Sequence, residues 1–300
     1  MDNKDTKIVI EECVLTAVEA NTRLSDLTAG TFKTITSRKA FKKAIKQGCV
    51  TLNNKQAYTG DYVNENDLIT IYKDKSISKK PSIQIPLKVL FEDNHLAIIH
   101  KPAGVEVSGN KKYTIENALP SLLKKSNQKD ALDRPLPAHR LDYPTSGCLL
   151  IGKTSETLQA LHRMFEKREI SKKYIAVTLG NQITEGKIDK PIDDKASLTT
   201  FKTLQTITSK KYNALNLVLL TPHTGRRHQL RKHMMQLGNP IFGEKTYGDI
   251  NDQGKGSGLF LHAIALSFKH PIDNKTLIIK SEAPRKFQKL FPSHNQLICL

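Results

Sequence analysis

Three hundred residues, 38% hydrophobic and 25% charged, can bury a real core, and the length suggests about two domains. The longest largely apolar runs, such as residues 148–151 and 215–220, are strand-sized and fall far short of the roughly 20 residues a membrane helix needs. Lys plus Arg is 47 against 29 for Asp plus Glu, a net charge of +18, which favours a polyanionic partner but does not separate nucleic acid from an acidic membrane surface or from plain solubility.

Residues 1–20 read as a short, partly charged lead-in. Asp2, Asp5, Glu11 and Glu12 do not fit the basic-then-apolar layout of a secretory signal, which predicts a cytoplasmic protein. Cys13, Cys49, Cys148 and Cys299 lie far apart, without the close spacing of zinc or redox sites, and read as reduced, mostly buried thiols.

Thr22, Ser25 and Ser37 are helix-start residues. After Ser37, the run Arg38-Lys39-Ala40-Phe41-Lys42-Lys43-Ala44-Ile45-Lys46 has helical periodicity. Lys39, Lys42, Lys43 and Lys46 share one face, and Phe41, Ala44 and Ile45 share the other. Taken alone, such a stripe is most simply a solvated face. The lack of any acidic residue in it also suits a surface that phosphates neutralise. Gly48 closes the helix, residues 50–52 and 67–72 read as strands, and Asn53-Asn54 reads as a turn. Residues 74–86, with Lys79-Lys80-Pro81 and Pro86, lack periodicity and read as a linker.

From residue 87 the pattern changes. Strands are expected at 89–91, 96–100, 148–151, 174–179, 201–208, 213–220, 259–262 and 277–280, with helix and loop over 111–132. Helices are expected at about 155–168 and 226–237. Strands predominate without regular alternation, which predicts an α+β domain with a mixed, mostly antiparallel sheet and flanking helices.

Three segments could carry chemistry. His139-Arg140-Leu141-Asp142-Tyr143-Pro144-Thr145-Ser146-Gly147 packs charged and turn-forming residues just before a buried strand, so Asp142 either faces a cleft or caps a turn, the commoner use. Lys172-Lys173-Tyr174 is a cationic approach to a strand, and Tyr174 alone is more often a core aromatic than a catalytic group. Residues 221–233 hold Arg226, Arg227, Arg231 and Lys232 with no acid among them. If Gly225 opens the helix, its N–H groups and these arginines form a phosphate or carboxylate site. His228 and His233 have no acidic or cysteine ligand nearby in sequence and sit among cations that repel a divalent ion, so no metal is expected.

Residues 21–73 resemble the small αL-type RNA-binding domain first named from a ribosomal small-subunit protein. The match is in Thr22-Arg23-Leu24, the basic helix, Gly48-Cys49-Val50-Thr51-Leu52-Asn53, and Gly60-Asp61 with Val63. The resemblance implies that Arg38, Lys39, Lys42, Lys43 and Lys46 contact RNA.

The second part resembles the RluA-type RNA pseudouridine synthases. The resemblance rests on His139-Arg140-Leu141-Asp142 with Thr145-Ser146-Gly147, on Lys173-Tyr174, and on Gly225-Arg226 with His228-Gln229-Leu230-Arg231 and His233. Glu92-Asp93, Lys101-Pro102-Ala103-Gly104, Gly238-Asn239-Pro240-Ile241, Leu261-His262-Ala263 and His270-Pro271 support it.

The implied architecture is a catalytic domain over 87–300 with a central cleft, preceded by a small α/β RNA-binding domain over 1–73 with its core at 21–73. The implied reaction detaches uracil from the ribose and rejoins it through C5, with no cofactor, redox partner or metal. By the same resemblance, Asp142 is the nucleophile or base, Arg231 its partner, and Tyr174 the residue that stacks on the base near the departing C5 proton. Arg140 extrudes the uridine, and Arg226 and His228 contact RNA. The expected substrate is large-subunit ribosomal RNA and the expected state a monomer. Transfer RNA, or a non-catalytic RNA-binding or ribosome-assembly role on the same scaffold, is the alternative. The short stretch 191–201, Tyr143-Pro144 and Gly256-Ser257-Gly258 depart from the family's pattern and leave the RNA target open.

Overall fold

The computed structural model describes residues 7–27, 31–32, 34–35, 37–74, 82–248, 256 and 258–293. Cys299, Ser257 and much of the expected linker lie outside the described residues. The chain divides into two compact units, Met1–Lys80 and Pro81–Leu300.

The first unit is an antiparallel sheet in the order β1 (Lys7–Val14), β4 (Leu68–Asp74), β2 (Val50–Leu52), β3 (Lys55–Gln56), with helix α1 (Arg38–Lys46). The Ser37 hydroxyl accepts the Ala40 N–H at 3.2 Å and starts α1, while Gly48 turns left-handed just beyond its end. Phe41 and Ile45 bury against Leu24, Val50, Ile69 and Ile71. Burial of a side chain such as Phe41 is worth about 1.5–3 kcal/mol, enough to hold a short helix that would not persist alone.

One expectation needs correction here. Residues 7–14 are not a lead-in but an edge strand, pairing Glu11 with Ile71 and Val14 with Leu68. With Ile8, Val9 and Ile10 all exposed, β1 lacks the alternation that marks a strand in sequence. The cationic stripe also has an acidic neighbour. Asp26, from a short helical turn at Leu24–Asp26, forms an ion pair with Arg38 and lies 3.9 Å from Lys42. Lys39, Lys43 and Lys46 remain exposed.

The second unit is built on one large mixed sheet. Its path runs β10 (Glu185–Ile188), β11 (Thr199–Ser209), β12 (Asn213–Pro222), β9 (Ser171–Leu179), β13 (Leu261–Lys269), β8 (Ser146–Thr154), β6 (Leu96–Lys101), β5 (Lys88–Glu92). Off this path, β14 (Thr276–Lys280) pairs with β13 and β7 (Ala131–Pro137) pairs with β8. Every pairing between these named strands is antiparallel except β13 on β8.

Side chains on β6 and β8 alternate between two buried faces. Ala97, Ile99, Leu149 and Ile151 pack toward α2 (Ile115–Leu122). Leu96, Ile98, Cys148 and Leu150 pack toward α3 (Ser155–Glu166). Cover on both sides explains why these strands read as unbroken apolar runs. The other half has its own core, with Val177, Leu217, Leu230 of α4 (Gln229–Gln236), Leu261 and Phe287 of α5 (Arg285–Leu290). The expected helix at 226–237 therefore starts three residues late, and Gly225 does not open it. The polar run at 225–228 looks like a helix start but is extended into a turn that ends with His228 in the left-handed region, φ 54°.

The halves meet where β13 runs parallel to β8 for two residues, His262 beside Ser146 and Ala263 beside Gly147. Gly147 has φ 120°, and a Cβ there would lie 2.2 Å from the Ala263 carbonyl oxygen. Backbone cannot step aside as a flexible side-chain tip can. Gly147→Ala should cost about 3 kcal/mol or more by combining overpacking with a strained φ. A lowered urea midpoint with no change in slope would register it, and an unchanged midpoint would show that the crossing is slack.

Candidate active site

The loop between β7 and β8 carries Asp142 to the edge of this crossing. A turn closes it, with the Thr145 N–H donating to the Asp142 carbonyl at 3.0 Å, and Leu141 is buried behind it. A buried lysine holds the loop from below. Lys101 Nζ donates to the carbonyls of Thr145 at 2.7 Å, Pro102 at 2.9 Å and Tyr143 at 3.3 Å. The Gly104 N–H donates to the Tyr143 carbonyl at 2.8 Å. Burial pushes the Lys101 pKa down to about 8, against the pull of Asp142. His139, next to Arg140, is a strut. Its Nε2 accepts the Leu150 N–H at 3.1 Å, and burial pushes its pKa down to about 3, so the ring is neutral.

The partner of Asp142 comes from α4. Arg231 Nη1 lies 3.6 Å from one Asp142 carboxylate oxygen, and His228 Nε2 lies 3.7 Å from the other. Glu244 grips Arg231 from behind, with Nε and Nη2 each donating at 2.6 Å, and Nη2 also reaches the Thr246 hydroxyl at 2.8 Å. Burial opposes the charge on both residues. The two-pronged bond to Glu244 outweighs it, holding the Arg231 pKa above its ordinary value, and Glu244 is held below its own by Arg231 and by the N–H groups of Thr246 and Tyr247.

Helix α4 is itself pinned to the sheet. Gln229 donates to the Leu198 carbonyl at 2.9 Å, and buried His233 lies 2.9 Å from the hydroxyls of both Ser197 and Thr199. Tyr174, on β9 opposite Leu220 and Ala263, completes the cleft. Burial and the charge of Asp142 both raise its pKa, so the phenol stays protonated.

These groups line one cleft of about 850 Å³, where Asp142, Tyr174 and Arg231 meet Arg140, Arg226 and His228. The six residues singled out in this part of the sequence are therefore brought together. Arg38, Lys39, Lys42, Lys43 and Lys46 sit on α1 of the other unit. Among the described residues, no group of three or more His, Cys, Asp or Glu side chains converges as a metal site would, and no helix is long and apolar enough to cross a membrane.

Sequence reasoning missed Glu244 and Tyr247, which lie outside every charged run, and gave Lys101 no role beyond a supporting motif at the end of a strand. The cleft combines a carboxylate set against a guanidinium, an aromatic ring and a cationic rim. That combination suits an unstacked base on a phosphate backbone.

Removing Glu244 would leave Arg231 buried without its main counter-charge. Glu244→Ala should lower the unfolding free energy by about 3–5 kcal/mol. Urea denaturation checks it, and a loss under 1 kcal/mol would mean that Arg231 does not need this anchor.

Residues 95–236 match the family model described as RNA pseudouridylate synthase. The chain is 34% identical to "tRNA pseudouridine synthase C" of Pasteurella multocida (strain Pm70), over 64% of this chain and 90% of that protein. It is 31% identical to "Ribosomal large subunit pseudouridine synthase D" of Nitrosomonas europaea, over 83% of this chain and 77% of that one. Among solved structures, "Human RNA Pseudouridylate Synthase Domain Containing 4" superposes with a TM-score of 0.56 at 25% identity, covering 71% of this chain and 94% of that one. With the motif residues gathered into one cleft on a shared fold, the chain belongs to the RluA-type RNA pseudouridine synthases and is an RNA-modifying isomerase.

Proposed function

We propose that Asp142 is the catalytic carboxylate of this enzyme and that its substrate is large-subunit ribosomal RNA. The observation that carries the first part is the placement of Asp142. Its side chain is 18% exposed, in the cleft, and faces Arg231 at 3.6 Å. It is reachable from the cleft yet backed by a fixed positive charge.

The uridine is extruded from the RNA so that its ribose meets Asp142 and its base lies against Tyr174. The N1–C1′ bond breaks, a C5–C1′ bond forms, a proton leaves C5, and N1 ends with a proton. Stacking on an aromatic ring is worth roughly 1–3 kcal/mol per base, which offsets part of the cost of unstacking. Arg140 occupies the gap and holds phosphates, and Arg226 and His228 line the path of the strand.

The ribosomal target is supported by how far the relatives extend. The match to the large-subunit enzyme takes in 83% of this chain, more than Pro81–Leu300 alone can supply, so it reaches into the first unit. The 64% matched by the transfer-RNA enzyme is no longer than the second unit alone. In this reading the Met1–Lys80 unit is an RNA-binding domain, and the exposed lysines of α1 are its contact surface.

Asp142→Asn should abolish tritium release from C5-labelled RNA while leaving RNA affinity within about twofold. Retained release in the variant removes Asp142 from the chemistry. RNA from cells lacking the gene should miss pseudouridine at specific large-subunit positions; sites missing from transfer RNA instead would overturn the target.

Replacing Lys39, Lys42, Lys43 and Lys46 with Ala should weaken RNA binding and flatten its salt dependence, by about 0.7–0.9 in log–log slope per lost phosphate contact. An unchanged slope returns α1 to a plain solvated face.

A further inference from the structure

Among the described residues, Arg231 is one of two side chains in ion-pair range of the Asp142 carboxylate. The other is His228, and its geometry is unusual in two respects. It is a non-glycine residue with φ 54°, immediately before α4, and this left-handed turn aims the ring at Asp142. Histidine tolerates that region better than most residues, but holding it there still costs free energy, and such outliers cluster at functional sites. Its ring is also clamped from the far side, with Nδ1 lying 2.7 Å from the Tyr247 hydroxyl. The Tyr247 ring in turn lies beneath the Arg231 guanidinium, 5.5 Å from its centre.

A single turn, 244–247, therefore braces both arms. Glu244 fixes Arg231 and Tyr247 fixes His228. Resting on the assignment of Asp142 as the catalytic carboxylate, we propose that His228, oriented by Tyr247, is a positioning residue that sets the plane of the Asp142 carboxylate before RNA arrives.

The tautomer follows from the partners. A ring that donated from Nδ1 to Tyr247 would turn an Nε2 lone pair toward a carboxylate oxygen, and the two would repel. A Tyr247 hydroxyl that donates to Nδ1 leaves the hydrogen on Nε2, pointing at Asp142. The ring can do this uncharged. Burial, Arg231 and Arg227 hold the His228 pKa below its ordinary value, opposed by Asp142 and Glu244. Nε2 of His228 lies 3.7 Å from one oxygen and Nη1 of Arg231 lies 3.6 Å from the other, so the two side chains bracket the carboxylate.

The test uses the full-length protein and RNA labelled with tritium at uracil C5, isolated from cells lacking the gene. Tyr247→Phe removes only the hydroxyl and keeps the ring under Arg231. It should lower kcat about tenfold and leave KM within about twofold, as expected for lost orientation and not lost binding. His228→Ala should do the same, and His228→Gln, which keeps an N–H at similar reach, should recover most of the rate. In the His228→Ala background, Tyr247→Phe should cost nothing more, because its effect passes through the ring.

Additive losses overturn the proposal. So does a His228→Ala effect confined to KM, which would make His228 an RNA contact only. Should the alanine variant fold poorly, the Tyr247→Phe and His228→Gln rates still decide the matter. Asp142→Asn is assayed alongside. If it stays active, the catalytic assignment itself fails; if it is dead while Tyr247→Phe turns over like the parent, only the positioning role fails.

Discussion

A guanidinium that is 5% exposed cannot stand alone, and the architecture of the cleft follows from how Arg231 is satisfied. Taking such a charge out of water costs several kcal/mol unless its donors are met. Glu244, 1% exposed, meets Nε and Nη2 in the two-pronged geometry a planar fork allows. That choice fixes the plane of the guanidinium and leaves Nη1 pointing in one direction, toward Asp142. A lysine could supply the charge but not the direction, because its ammonium is a point donor on a rotatable stem.

The other side of that contact is held just as firmly, but by backbone. Lys101 and Gly104 bind carbonyls of the Asp142 loop, and the Gly147–Ala263 crossing fixes where the loop enters the sheet. Because the anchors are carbonyls, the side chains of Tyr143-Pro144 can depart from the family's pattern without disturbing the frame. Three stretches far apart in sequence, around Lys101, Asp142 and Arg231, are thus positioned by one sheet. Ångström-scale placement of a carboxylate requires rigid elements of this kind.

Much of this was legible in the sequence because the strands beneath the site are covered on both faces. Cys148-Leu149-Leu150-Ile151 and Leu96-Ala97-Ile98-Ile99 announce themselves as apolar runs, and Asp142 stands at the mouth of one of them. What escaped was whatever local pattern does not encode. Glu244 meets Arg231 from 13 residues away across a turn. Strand β1 is an edge whose apolar side chains are exposed, so no alternation marks it. The start of α4 was misplaced because Gly225-Arg226-Arg227 looks like a helix N-terminus, whereas the left-handed turn at His228 delays it to Gln229. Periodicity reports which face is buried; it does not report which distant charge a buried charge will meet.

The histidines show the same division between frame and chemistry. His139 and His262 are buried with pKa values pushed down to about 3, and His233 is also lowered by burial. Each serves as a neutral hydrogen-bonding strut, to the Leu150 N–H, the Ser146 hydroxyl and the Ser197 and Thr199 hydroxyls respectively. Their neutrality leaves the positive charge lining the cleft to groups such as Arg140, Arg226 and Arg231. Among the described histidines, His228 is the one within 4 Å of the Asp142 carboxylate, and its ring is set by the Tyr247 hydroxyl, so it can orient Asp142 without adding a charge that would compete with Arg231 for it.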